Sequence, residues 1–209
     1  RAQDSARPLC CGRTFLAAGL VAEAEAEARR MIATLKPFIE RGVPVIGLEP
    51  ACLFGLRDEF ISMLPGADSA ALALNAMLFE EFLAREADAG RLKLALKALP
   101  QTKALLHGHC HQKAFDAMPA VLKALKLVPG LEVETIESSC CGMAGSFGYE
   151  AQHYAVSMKM AEASLLPKVR EAGADTLIVA DGTSCRHQIH DGAQRAALHV
   201  ARVLQRALE

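Results

Sequence analysis

Seven cysteines stand in 209 residues, and their spacing is the first feature that could do chemistry. Cys140 and Cys141 are adjacent within "SSCCGMAGSFGYE", Ser138 to Glu150, directly ahead of a glycine-rich run. "LCCGRTFLAAGLVAEA", Leu9 to Ala24, carries the same Cys-Cys-Gly with Cys10 and Cys11, and Cys52, Cys110 and Cys185 stand singly. An odd count with two vicinal pairs argues against a disulfide framework, because a vicinal disulfide is strained. In a reducing compartment, clustered thiols more often bind metal or carry redox chemistry.

Aligning the two Cys-Cys-Gly motifs places Cys10, Cys11 and Cys52 on Cys140, Cys141 and Cys185, with intervals of 41 and 44 from the second cysteine to the last. This is the signature of an internal repeat. The first copy lacks a counterpart of Cys110, which by the repeat geometry belongs about thirty residues before Cys10, upstream of Arg1. The chain opens on Arg1 rather than Met, inside a polar segment, and reads as a piece of something longer.

Four cysteines per site suit either tetrahedral zinc or an iron–sulfur cluster. Zinc knuckles of the C-x₂₋₄-C type are absent, since the single cysteines arrive from separate segments. Gly142, Gly145 and Gly148 would let the chain turn sharply and leave room for a bulky inorganic core. His107, His109 and His111 alternate around Cys110, and His187 follows Cys185 by two. These histidines are expected as hydrogen-bonding neighbours of a metal centre, with direct ligation the alternative. Asp181 and Lys113, near the same edge, read as solvated loop charges.

The elements that must position these groups follow from patterning. Arg13 to Glu40 has a helical apolar stripe, with Glu25 and Arg29 at i,i+4, and Gly42 stops it. "VPVIGLEP", Val43 to Pro50, is a short β-rich run that delivers Cys52 into a loop. Strands are predicted for Lys103 to His109, ending at Cys110, for Leu131 to Glu137, ending at Cys140 and Cys141, and for Thr176 to Gly182, ending at Cys185. Helices are predicted for Pro119 to Lys126, for Glu150 to Glu171 and from about Ala193 to the C-terminus. Pro65 to Leu99 is expected to be a bridging helix pair with Leu72, Ala76, Phe79 and Leu83 on one face.

Strands alternating with helices imply right-handed βαβ units and a parallel sheet, with ligands at the carboxyl ends of the strands. The expected architecture is α/β: two tandem βαβ-type repeats, 1–100 truncated at its start and including the bridging helices, and 101–209 complete. Cys110 and Cys140 are then expected on neighbouring strands about 4.8 Å apart, with helix starts nearby to stabilise anionic sulfur.

Composition narrows the function classes. The formal charge of -1 and the lack of any Lys/Arg block argue against nucleic acid or an anionic membrane as the main partner. No apolar stretch approaches the roughly 20 residues of a membrane helix, and no signal-peptide layout is seen, so the chain reads as cytoplasmic. Hydrophobic residues make up 52% of it, enough to bury a substantial core.

The pattern Cys, about thirty residues, Cys-Cys-Gly, about forty residues, Cys resembles the cysteine-rich CCG domain. That domain occurs in tandem in the heterodisulfide reductase B subunit, the glycolate oxidase iron–sulfur subunit and the lactate-utilisation iron–sulfur protein. "HGHCHQKA", "ESSCCGMAGSFGYE" and "VADGTSCRHQI" are similar to the C-terminal part of fused proteins in which an FAD-linked D-2-hydroxyacid dehydrogenase precedes this domain pair. The resemblance implies that Cys110, Cys140, Cys141 and Cys185 ligate an iron–sulfur cluster of the 4Fe-4S kind, and that Cys10, Cys11 and Cys52 belong to a second, incomplete site.

The reductase subunit ends its motif in Cys-x-x-Cys, whereas Gly182 and Glu49 stand three before Cys185 and Cys52. That departure favours electron relay over disulfide cleavage. The resemblance therefore implies electron transfer for a flavin-dependent 2-hydroxyacid dehydrogenase, with FAD in an upstream part or a partner subunit; no dinucleotide-binding glycine pattern opens a helix here. Thiol–disulfide catalysis of the heterodisulfide-reductase type and a zinc-stabilised interaction domain are the alternatives.

Overall fold

A computed structural model describes residues 7–208. It is α/β with parallel sheets, and it divides into two compact units at Leu78 and Phe79.

The first unit contains α1 (Arg13–Ala17), α2 (Val21–Ile39), β1 (Val45–Gly47), α3 (Pro50–Arg57), α4 (Glu59–Met63), α5 (Ala67–Asn75) and β2 (Ala76–Leu78). The single helix expected from Arg13 to Glu40 is two helices, because the chain turns through Gly19 at φ 75°. Glu25 and Arg29 do pair, at 3.6 Å. Leu53, Phe54, Leu56, Phe60, Leu72 and Leu78 form the apolar interior. β1 and β2 run parallel, Val45 opposite Ala76 and Gly47 opposite Leu78. Cys52 lies in the first turn of α3 rather than in a loop.

The second unit contains α6 (Phe79–Asp88), β3 (Lys103–His107), α7 (Cys110–Ala114), α8 (Met118–Leu125), β4 (Glu132–Thr135), α9 (Tyr154–Glu162), α10 (Leu165–Glu171), β5 (Leu177–Ala180), α11 (Thr183–Ala193), β6 (Ala197–Leu198) and α12 (Val200–Leu208). The strands form one parallel sheet in the order β4-β3-β5-β6. Alternation places its residues in two cores. Ala104, Leu106, Leu177 and Val179 join Val121, Leu125, Val203 and Leu204 on one face. Leu105, Ile178 and Ala180 join Leu165, Val169 and Ile189 on the other. With helices covering both faces, the central strands read as near-continuous apolar runs.

The expected bridging helix pair over Pro65 to Leu99 is instead α5, β2 and α6, followed by irregular chain from Ala89 to the start of β3. Local helical preference at Ala76–Leu78 gives way to ladder bonds with β1. The helix expected over Glu150 to Glu171 is two 3₁₀ turns (Phe147–Tyr149 and Ala151–His153) followed by α9 and α10. The helix expected from Ala193 onward begins only at Val200. Gln194 takes a left-handed conformation at φ 52° that ends α11, and β6 intervenes.

Candidate metal centre

Three adjacent strands deliver the thiols. β3 ends at His107, and shortly after it Cys110 opens α7. β4 feeds the loop that holds Cys140 and Cys141, and β5 feeds α11, whose first turn carries Cys185. Since β3 pairs with both β4 and β5, residues far apart in sequence reach one edge of the sheet. The thiols meet in series: Cys110 against Cys140, Cys140 against Cys141, and Cys141 against Cys185. Cys110 is exposed, Cys140 is half-buried, and Cys141 and Cys185 are buried.

Charge is unevenly spread along this row. Hydrogen bonds from Cys110 and Cys141, helped by backbone N–H groups of Gly142 and Ala144, hold the Cys140 thiol far below its ordinary value. The Gly142 N–H donates to its sulfur at 3.3 Å. Cys185 is lowered by Cys141 first, against the opposing cost of burial, and then by His107. Cys110 and Cys141, as donors in the same row, are pushed up. The site is thus built to keep negative charge on sulfur.

The supporting residues lock the turns. His109 Nδ1 accepts the His111 N–H at 3.1 Å, and Gln112 Oε1 accepts the His109 N–H at 2.9 Å, a reciprocal cap on α7. The Cys110 sulfur lies 3.9 Å from His109 Nδ1 and 3.8 Å from His111 Nδ1. Neither Asp181 nor Lys113 is the solvated loop charge expected. Asp181 is buried, accepting from Gln112 Nε2 at 2.7 Å and from the Val200 N–H at 3.0 Å. Lys113 Nζ donates to the carbonyls of Ser138 and Ser139, which ties α7 to the loop before the cysteine pair. Hydrogen bonding makes the burial of Asp181 and the half-burial of Lys113 tolerable.

His107 is buried with Nδ1 2.9 Å from Ser138 Oγ. His187 lies at the surface, its Nδ1 2.6 Å from the Tyr149 hydroxyl. One further group was invisible in the sequence. Glu80 is fully buried, and neither of its carboxyl oxygens has a hydrogen-bond partner. His199 Nδ1 lies 3.9 Å from it and 3.4 Å from Asp181, and accepts the Ala201 N–H at 3.0 Å. Burial, then the Asp181 charge, push the Glu80 carboxyl up to about 9, so it holds a proton at neutral pH. No motif joins positions 80, 181 and 199; only the packing of α6, β5 and α12 does.

Glycine supplies the clearance. Gly142 has φ 91°, and a Cβ there would stand 2.2 Å from the Ser157 carbonyl oxygen. At Gly182 a Cβ would lie 2.4 Å from the His109 ring and 3.1 Å from the Cys185 sulfur. In the first unit, Cys10, Cys11 and Cys52 show a related local geometry. The Gly12 N–H donates to the Cys10 sulfur at 3.4 Å, Gly12 has φ 73°, and the Cys11 and Cys52 sulfurs lie in hydrogen-bond contact at 3.0 Å. That contact lowers the Cys11 thiol to about 6 and raises Cys52. A cleft of about 450 Å³ lined by Lys103, Glu132, Lys168 and Thr176 opens at the amino ends of the strands, opposite the thiols.

The donor set fits a soft inorganic group. Four sulfurs from one edge of the sheet, a buried His107 Nε2 with no conventional partner, and His107 within 4.8 Å of the Cys141 and Cys185 sulfurs are the surroundings such a group requires.

Comparison with known proteins finds related sequences. The CCG cysteine-rich domain family matches residues 104–190. The C subunit of the anaerobic glycerol-3-phosphate dehydrogenase of Escherichia coli K12 is 32% identical over 200 residues, 95% of this chain and 49% of that protein. The D-2-hydroxyglutarate dehydrogenase of Pseudomonas putida KT2440 is 30% identical over 180 residues, 85% of this chain and 16% of that protein. Its counterpart in Escherichia coli K12 is 28% identical over 168 residues, 78% and 15%. The chain thus spans about half the length of the first of these relatives. No solved structure matches it.

Proposed function

Residues 104–190 being a CCG cysteine-rich domain, we propose that this chain is the iron–sulfur electron-transfer module of a flavin-dependent dehydrogenase. The observation that carries the reading is the convergence of Cys110, Cys140, Cys141 and Cys185 from three neighbouring strands. Cys10, Cys11 and Cys52 form the second, incomplete site, in line with the shared Cys-Cys-Gly geometry. A 4Fe-4S cluster would supply one-electron chemistry here, with a potential set by its ligands and their hydrogen bonds. Zinc knuckles would bring paired ligands from two short loops, and this arrangement does not.

The chain's own residues have separable tasks. The Cys140 and Cys185 thiols are held low and ionise most readily. All four thiols would lose their protons on binding metal, and Cys110 presents the exposed side on which a donor or acceptor would dock. Gly182 keeps a side chain out of the space beside the Cys185 sulfur and Gly142 lets the turn after the cysteine pair pack against Ser157, while Lys113 and the α7 cap hold the loops in register. The flavin belongs to an upstream part or a partner subunit.

The substrate of the whole enzyme is proposed as a 2-hydroxyacid. The relatives named for D-2-hydroxyglutarate and glycerol-3-phosphate share one chemistry, oxidation of a secondary alcohol in an anionic molecule, and each such oxidation releases two electrons for a one-electron relay. The setting is proposed as cytoplasmic, where thiols stay reduced; among the described residues no helix is long and apolar enough to cross a membrane.

The test is stopped-flow mixing of the anaerobically reconstituted chain with a reduced flavin dehydrogenase domain. Bleaching of the visible band is expected, and the chain alone should oxidise no 2-hydroxyacid. A band that dithionite bleaches and the flavin domain does not would remove the relay reading. Turnover of a disulfide by the reduced chain would favour thiol–disulfide catalysis instead.

A further inference from the structure

His107 ends the central strand β3 and is 1% exposed. An imidazole is costly to bury unless both ring nitrogens are served. Nδ1 is served by Ser138 Oγ at 2.9 Å. Nε2 is enclosed and has no conventional hydrogen-bond partner, and the ring stands within 4.8 Å of the Cys141 and Cys185 sulfurs. With Nδ1 occupied, Nε2 is the nitrogen left to face them.

We propose that His107 donates a hydrogen bond from Nε2 to the sulfur of Cys185 and so raises the reduction potential of the centre, with Ser138 fixing the tautomer that makes this possible. This rests on the iron–sulfur reading above. The four thiols already provide one sulfur for each iron of a 4Fe-4S core, which leaves the imidazole free to donate rather than ligate. When the Ser138 hydroxyl donates to Nδ1, the ring proton must sit on Nε2, pointed at sulfur. An N–H donor stabilises the more negative, reduced state more than the oxidised one, so the potential rises. His107 is therefore a positioning and tuning residue. Its place at the buried end of an inner strand of the sheet keeps that donor rigid.

The experiment compares wild type, His107→Phe, His107→Gln and Ser138→Ala, each reconstituted anaerobically, with iron and acid-labile sulfide measured before anything else. Film voltammetry is expected to place His107→Phe well below wild type and His107→Gln, whose amide N–H can take the place of Nε2–H, close to wild type. Ser138→Ala should shift the same way by less. In wild type with ¹⁵N-labelled histidine, pulsed EPR of the reduced centre should show a weak nitrogen coupling that His107→Phe abolishes, apart from any coupling of His109 and His111 beside Cys110, which that variant leaves in place.

An unchanged potential in a fully loaded His107→Phe would overturn the proposal, as would a strong coupling typical of a bound imidazole. Should His107→Phe fail to hold a cluster, the wild-type coupling and the Ser138→Ala shift decide alone, and absence of both counts against it. A wild-type chain that takes up zinc and no sulfide removes the iron–sulfur reading itself, an outcome read before any potential is measured.

Discussion

At the scale of single residues, the cysteines were legible because their types and spacing are the chemistry, whereas their environment was not. Hydrogen bonds from neighbouring thiols hold the Cys140 and Cys185 thiols below their ordinary values. Replacing either by Ser is expected to remove most of the visible absorbance of the reconstituted chain, while Cys52→Ser, outside the proposed four-cysteine site, should remove much less. Absorbance spectra of the three variants decide this, and equal losses would mean that the thiols form one pool.

Glu80 shows what spacing cannot reveal. Nothing in "LFEEFL" distinguishes a buried acid from a solvated one, and yet its carboxyl is raised from 4.5 to about 9 by burial and by Asp181, with Glu81 adding to the effect and His199 beside it. The folded chain holds this proton while the unfolded chain releases it above pH 4.5. Stability is therefore lost as pH climbs from about 4.5 toward about 9, by at most about 1.4 kcal/mol per pH unit. Glu80→Gln keeps the shape and removes the titration. Thermal melts are expected to show the variant gaining on wild type between pH 5 and 8, with little difference at pH 4.

At the scale of elements, the apolar runs of β3 and β5 were readable because both faces of those strands are covered. Where the elements depart from the sequence pattern, the causes are physical. The helical stripes continue in sequence across Gly19 and across the break at Ser164, where one residue's backbone conformation outweighs the periodicity around it. β2 and β6 span only three and two residues, too few to show a period, and exist because a neighbouring strand offers hydrogen bonds. Asp181 and Lys113 looked like loop charges because their partners, Gln112, Val200 and the Ser138 carbonyl, come from other elements.

The turn after the cysteine pair gives a direct test of this scale. Gly142→Ala would place a methyl 2.2 Å from the Ser157 carbonyl oxygen at φ 91°, and is expected to destabilise the chain by at least about 2 kcal/mol. Gly145→Ala, also at positive φ but with open space around it, should cost less, about 1 kcal/mol. Denaturant unfolding of the two variants measures the difference, and equal losses would mean that close packing against α9 does not shape this turn.

At the scale of the molecule, the sequence pattern carried the α/β class and the parallel sheets with cysteines at their carboxyl edge. What it lacked was the network behind that edge: Asp181 reaches α7 through Gln112 and α12 through Val200, so the turn that positions Cys185 is braced by elements on both sides. Such bracing suits an electron carrier, because a rigid surround keeps the reorganisation of ligands small. The central claim is that Cys110, Cys140, Cys141 and Cys185 hold an iron–sulfur cluster. Iron, zinc and acid-labile sulfide measured per chain after anaerobic reconstitution test it most directly. The expected result is about four iron and four sulfide in the cysteine-complete site, lost together in Cys140→Ser; stoichiometric zinc without labile sulfide would contradict it.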